Sequence, residues 1–228
     1  MYPMNPKEME ACKEFIDKNL KAGKIQKSQS PQVSLFFFIQ KKDGGLRPCH
    51  DYCYLNEHTV KNTYPLPLIS TLINKLKGVK YFSKMDVRWG YNNICIKEGD
   101  EWKTMFMTPF SLYELLVMFF RQCNSPPTFQ AFMDSTFGDM IAEGWLIIYM
   151  DDVLVFAKTL EECQERTKQV LDRMKEEDLH LKLAKCAFDQ TKVEYLGLRV
   201  LRYKDRTLFS PLFTCLHWSL TLHSHLPF

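Results

Sequence analysis

The stretch from Trp145 to Phe156, WLIIYMDDVLVF, sets two adjacent carboxylates, Asp151 and Asp152, between two runs of strand-prone apolar residues. Successive side chains of a strand point to opposite faces, so both acids share one site only at or beside a tight turn. The stretch therefore predicts a buried hairpin with the carboxylates at its tip. Two carboxylates about 4 Å apart repel by about 4 kcal/mol at an effective dielectric near 20, so the pair needs a cation, a shared proton or full solvation. Aspartate is also a favoured turn residue, and the twelve residues alone leave a solvated turn open beside a metal site.

A chain of 228 residues with 46% hydrophobic residues can bury a sizeable core, which excludes a disordered chain. The formal charge of +3 gives no bulk attraction to nucleic acid, so any such contact must come from local placement of Lys and Arg. Eight cysteines are scattered through element-like segments with no secretory signal before them, which reads as a reducing, intracellular compartment. Cys49, Cys53, His50 and His58 lack zinc-finger spacing and read as ordinary residues. No apolar run approaches the roughly 20 residues of a spanning helix, so no membrane segment is expected.

Along the chain, Asn5-Pro6-Lys7-Glu8 carries the signals of a helix start, and Met9, Cys12, Ile16 and Leu20 repeat at helical spacing up to Gly23. Residues 32–40 and 46–54 read as strands joined by Lys41-Lys42-Asp43-Gly44-Gly45, a hairpin with a basic tip. A short helix over 68–76 and a strand over 79–87 follow. A helix runs from Pro126-Pro127 to near Gly144, and Thr159-Leu-Glu-Glu162 opens a capping box for a charged helix to about Leu179, with Glu162 spaced to pair with Arg166. The mixed order favours an α+β fold with an antiparallel sheet. From about Asp205 charge, caps and period vanish, and 205–228 reads as a disordered or aberrant tail.

Asp86, closing the strand-like YFSKMD, could join the hairpin acids if the two segments are sheet neighbours. Three oxygen-only acids suit a hard cation that takes its remaining ligands from water and substrate phosphates, with magnesium and a nucleotide as the obvious case.

YMDD between apolar strands, with YFSKMDVRWGYNN, KKDGGLRPCHDYCYLN, YPLPLI and NSPPTFQ before it and KTLEECQERT and KCAFDQTKVEYLG after it, resembles the reverse transcriptase of gypsy-type long-terminal-repeat retrotransposons, most of all the fungal members. The likeness runs in order from about Tyr2 to Val200. It implies the fingers and palm of a right-hand polymerase, an antiparallel palm sheet backed by helices, with fingers at 1–62 and 94–124 and palm at 63–93 and 125–204. It implies two Mg2+ ions, or Mn2+ in their place, on Asp86 and Asp151, with Asp152 completing the cluster. The implied partners are an RNA or DNA template with its primer and deoxynucleoside triphosphates. By motif, Lys41, Arg47, Tyr91, Phe120 and Met150 would contact the nucleotide, Tyr149, Tyr195, Leu196 and Gly197 the primer or template, and Lys185 would protonate the pyrophosphate. Read without the family, these positions are hairpin tip, core and surface.

The chain departs from the family's usual residues at Cys53 for Arg, Ser111 for Gly, Leu115 for Pro, Arg121 for Gly and Pro127 for Ala. Arg121 is expected to crowd the nucleotide or strain its loop, and Cys53 to cost a buried ion pair. The thumb or connection, RNase H and integrase domains are expected to be missing, which would weaken the hold on a duplex. The competing expectations are an inactive relic of the enzyme and a nucleic-acid-binding module on the same scaffold.

Overall fold

The computed structural model describes residues 2–41, 44–203 and 206–211. Helix α1 (Pro6–Lys21) begins with the expected capping box: Asn5 Oδ1 accepts the Glu8 N–H and Glu8 Oε2 accepts the Asn5 N–H, each at 2.9 Å. Its buried stripe, Cys12 and Ile16, packs on a five-stranded sheet. That sheet comprises β1 (Ile25–Lys27), β2 (Ser34–Gln40), β3 (Leu46–Asp51) and, after three intervening elements, two further strands.

Apart from two short 3-10 helices, Gly90–Asn93 and Glu101–Thr104, those intervening elements are α2 (Cys53–His58), α3 (Ile69–Lys75) and β4 (Tyr81–Asp86); the two strands are β5 (Phe106–Met107) and β6 (Leu112–Leu115), giving the order β1-β6-β5-β2-β3. The segment read as a strand over 46–54 stops at Asp51, because Asp51 Oδ1 accepts the Cys53 N–H at 3.2 Å and turns the chain into α2.

The next units are α4 (Ser125–Thr136), α5 (Gly138–Ala142), β7 (Leu146–Tyr149), β8 (Asp152–Ala157), α6 (Leu160–Glu176) and β9 (Ala187–Gln190). The helix expected to run unbroken to Gly144 is split at Phe137, whose φ of −116° leaves the helical region. Arg173 Nη1 donates to the Thr136 carbonyl at 2.6 Å and satisfies the backbone group freed there. Strands β7, β8, β4 and β9 form an all-antiparallel sheet in the order β7-β8-β4-β9. One face of it packs on α4 and α6 through Met85, Phe129, Met133, Ile148, Val153, Val155, Cys163 and Val170.

The opposite face carries Phe82, Ile147, Leu154 and Phe156, covered by Leu72 and Leu76 and by the hairpin of β10 (Lys192–Tyr195) and β11 (Leu198–Tyr203). Strand β12 (Arg206–Pro211) pairs with β11 from Tyr203↔Arg206 to Leu198↔Pro211. The tail expected from 205 therefore begins as a strand; main-chain pairing needs neither caps nor an amphipathic face, the signals missing there. Residues 212–228, the rest of that segment, lie outside the described residues.

In α6, Thr159 Oγ1 accepts the Glu162 N–H at 3.3 Å, but Glu162 Oε2 accepts the N–H of Lys158 instead of the cap's own, so only half of the expected box forms. The predicted Glu162–Arg166 pair closes at 2.6 Å. The seven described cysteines are free, and no described helix is long and apolar enough to cross a membrane.

Candidate active site

Strands β4 and β8 pair in a register that sets Asp86 opposite Asp152, and Tyr149↔Asp152 closes the β7–β8 hairpin over the two-residue turn Met150-Asp151. Asp86 thus joins the hairpin acids as sheet neighbour. The turn requires a positive φ that normally falls to Gly or Asn, and Met150 adopts it at 54°, at a cost on the order of 1 kcal/mol. Gln130 stabilises it. This fully buried side chain of α4 accepts the Met150 N–H at 2.8 Å and donates to the Ile148 carbonyl at 3.3 Å. From the other side the Val87 N–H donates to the Asp151 carbonyl at 2.9 Å.

Two of the three carboxylates are met by the protein's own cations. Lys185 Nζ lies 2.7 Å from Asp86 Oδ2, and Lys84 Nζ lies 3.1 Å from Asp152 Oδ1. The bond to Asp86 raises the pKa of Lys185 above its ordinary value and holds its proton in place. Asp151 has no such partner among the described residues. Burial pushes its carboxyl up, Asp152 and Asp86 push it further, and Lys185 opposes them. Among the described residues no three His, Cys, Asp or Glu side chains converge as a ready cage for a metal, because Asp86 and Asp152 turn to their lysines. The donor set still fits a hard cation: it is oxygen only, and magnesium typically takes one or two carboxylates and draws its other ligands from water and phosphates.

Around this cluster the structure brings together several of the residues singled out by motif. Tyr91 donates to Met150 Sδ at 3.4 Å, and its ring meets Phe120 edge-on at 5.2 Å and Phe129 at 5.7 Å. Burial, and then Asp151 and Tyr149, push the Tyr91 hydroxyl up to about 12. Phe120 is 66% exposed, so it stands at the surface beside Tyr91 and is not the core residue its apolar run suggested. A Cβ on Gly90 would lie 3.4 Å from Asp151 Cβ, which places the turn after β4 against the acids. Tyr195 is buried and donates to the Asp152 carbonyl at 3.4 Å, ahead of the turn made by Leu196 (φ 49°) and Gly197 (φ 77°).

Lys41 and Arg47 stand at the end of the β2–β3 hairpin, where Arg47 opposes Ile39, and neither bonds to the aspartates among the described residues. Lys42 and Asp43 of the basic tip lie outside the described residues. Arg121 holds φ at 75°, a glycine-type conformation, with its carbonyl accepting from Asn56 Nδ2 at 2.7 Å and its guanidinium 5.5 Å from the Phe37 ring. The expected backbone strain is there. Cys53 is exposed, so the expected loss of a buried ion pair does not apply at that position. Leu115 donates its N–H to Thr104 Oγ1 at 2.8 Å, a bond proline could not make, and Pro127 sits in the first turn of α4, where proline is tolerated.

Two residues escaped the sequence reading. Gln130 lies in a helical stripe and Lys84 in the strand-like YFSKMD, and the sequence reading assigns neither a role. Neither carries a local signal, because their partners, Met150 and Asp152, are far away in sequence.

A family model described as reverse transcriptase (RNA-dependent DNA polymerase) matches residues 39–200. The Transposon Tf2-3 and Tf2-7 polyproteins of Schizosaccharomyces pombe are 36% and 35% identical over 199 residues. These matches take in 87% of this chain but 15% of the relatives, so the chain spans a small part of the length of the polyproteins it resembles. Among solved structures, a foamy viral protease-reverse transcriptase bound to an RNA/DNA hybrid superposes with a TM-score of 0.81 at 22% identity, over 88% of this chain and 27% of that one. A form of that protein bound to double-stranded DNA matches with the same score and identity over 35% of its length. At that identity the likeness concerns the fold.

Proposed function

The chain belongs to the reverse transcriptase (RNA-dependent DNA polymerase) family, and on that premise we propose that it synthesises DNA from deoxynucleoside triphosphates on RNA and DNA templates. The observation that carries the reading is the β4–β8 register, which sets Asp86 against Asp152 with Asp151 held at the turn between them and β7. Maintaining three mutually repelling carboxylates, one of them half-buried and without a cation, costs stability that a plain scaffold would avoid.

In this reading Asp86 and Asp151 would hold two Mg2+ ions, with Mn2+ an alternative and Asp152 completing the acidic cluster. Bound there, the ions would lower the pKa of the primer 3′-hydroxyl and neutralise the phosphates. The chain's own groups do the rest. Tyr91 and Phe120 wall the nucleotide sugar with Met150 beneath, and Lys41 and Arg47 reach the triphosphate from their hairpin, where the guanidinium fork suits phosphate oxygens. Tyr149 and the Tyr195-Leu196-Gly197 turn bear on the primer or template end. Lys185, which donates to Asp86 at 2.7 Å, would give a proton to the leaving pyrophosphate. Residues 1–62 and 94–124 would act as fingers and 63–93 and 125–204 as palm, a reading supported by the separation of the β1-β6-β5-β2-β3 sheet from the β7-β8-β4-β9 sheet. The free cysteines fit work in a reducing, intracellular compartment.

The strained Arg121 beside Phe120 favours one second reading, an inactive relic that retains the fold. Primer extension on a homopolymer RNA template with magnesium separates the two. Incorporation that disappears in Asp151→Asn supports the enzyme, and no incorporation by the unmodified chain removes it.

A further inference from the structure

A cationic cluster stands beside the acidic site, and none of the roles above uses it. Trp89 is 48% exposed and holds φ at 57°, a conformation strained for a non-glycine residue. Lys24 Nζ lies 4.1 Å and the Arg88 guanidinium 3.9 Å from the centroid of its ring. Lys18, on the last turn of α1, is the third cation; burial lowers the pKa of Lys24, and Lys18 and Arg88 lower it further. Among the described residues no carboxylate comes within ion-pair distance of these three.

Two unit charges that meet one ring at these distances repel each other. The two cation–π contacts offset part of that repulsion. The three cations have no ion-pair partner among the described residues, and Asp151 has none either. The cluster opens on a crevice of about 430 Å3 between α1 and the β2–β3 hairpin, whose lining includes Glu14, Phe15, Lys18, Lys24, Phe38 and Trp89, with Arg88 against the same Trp89 ring.

We propose that this crevice binds the phosphates of an unpaired nucleic-acid strand, with Lys18, Lys24 and Arg88 on successive phosphates and Trp89 fixing the two cations that flank it. A strand fits better than one phosphate because the cations run from α1 to the turn after β4 along an open crevice, and only two of them share the ring. A basic groove interleaved with an aromatic ring is the usual way to bind a single strand without reading its sequence. The inference rests on the polymerase reading and extends it to residues outside the aspartate site.

The test is binding of a fluorescent single-stranded oligonucleotide to the full chain, without divalent metal or nucleotide, across a salt series. Lys24→Met and Arg88→Met should each weaken binding and reduce the slope of log K against log salt by about 0.7, while Lys24→Arg keeps the slope. Slopes unchanged in both Met variants overturn the proposal, and so does failure of the unmodified chain to bind the strand. Displacement of the strand by micromolar inorganic triphosphate at matched ionic strength also overturns it, in favour of a small polyphosphate site. Primer extension is read separately, so loss of polymerisation bears on the proposed function and an unchanged slope bears on this crevice.

Discussion

The ammonium of Lys84 lies 3.1 Å from Oδ1 of Asp152 and 3.1 Å from the carbonyl oxygen of Glu194, so one side chain ties the second aspartate of the hairpin to strand β10. Lys185 does the same for Asp86 from the segment before β9. The two lysines pair with two of the three acids and leave Asp151 without an ion-pair partner among the described residues.

Any cation entering the site competes with these ammoniums. A unit charge about 5 Å from the ion changes its energy by about 1–3 kcal/mol for effective dielectrics from 80 to 20, so Lys84→Met should lower the half-saturating magnesium concentration about fivefold or more. Lys84→Arg should leave it near the original value. A magnesium titration of primer extension in which the midpoint of Lys84→Met does not move rules out the competition.

Asp151 titrates above the ordinary 3.8 because burial, Asp152 and Asp86 disfavour its charge. With the folded pKa above the unfolded one, the folded state carries no penalty below pH 3.8, and the penalty grows as pH rises through the raised value. Asp151→Asn should therefore raise the melting temperature at pH 7 by about 2–4 °C for each kcal/mol relieved, give no gain near pH 3.5, and lose primer extension. Thermal melts at both pH values check the sign; equal gains at both would contradict it.

His50 is buried at 2% exposure within rings of Phe36, Tyr52 and Phe106, and its Nε2 has no hydrogen-bond partner among the described residues. Burial, and then Arg121, lowers its pKa to about 3. The unfolded chain therefore takes up a proton below pH 6.5 that the folded chain refuses, and stability falls toward pH 3 by up to about 1.4 kcal/mol per pH unit. His50→Leu should stabilise the chain by about 1–3 kcal/mol at pH 7 by removing the orphan nitrogen, and by more at pH 5. Urea unfolding at the two pH values measures both effects.

Gln130→Leu leaves the Met150 N–H without its acceptor and frees the turn that aims Asp151. A displacement near 1 Å at reacting groups can cost about a hundredfold, so kcat should fall by about tenfold or more with little change in nucleotide KM. Gln130→Glu keeps the acceptor and should recover part of the loss. Equal kcat in all three chains would show that the clamp is not needed.

Arg121→Gly removes a side chain from a backbone at φ 75° and should stabilise the chain by about 1 kcal/mol, less the contact with Phe37. If Arg121 crowds the nucleotide, KM for the deoxynucleotide should drop as well. A variant less stable than the original would mean that the arginine's contacts outweigh the strain.

Much of the frame was legible because it rests on local rules. The α1 capping box, the turn forced by two acids between apolar runs and the Glu162–Arg166 spacing each depend on residues within one turn of one another. The sequence reading failed where a distant group decided, as where Arg173 reaches Thr136 and lets α4 end at Phe137. It also missed two local features, the turn of Asp51 into α2 and the pairing of β12 with β11.

By itself the sequence determined that Asp151 and Asp152 can share one site only at or beside a turn, because adjacent side chains of a strand point to opposite faces. It also supplied Asp86 as a third acid. Only the tertiary structure decided that Asp86 faces Asp152 across β4 and β8, that Lys84 and Lys185 hold two acids while Asp151 is left without a cation, and that Gln130 carries the strained Met150. Strand register, ion pairs and buried clamps join residues far apart in the chain, and such contacts leave no mark in the spacing of neighbours.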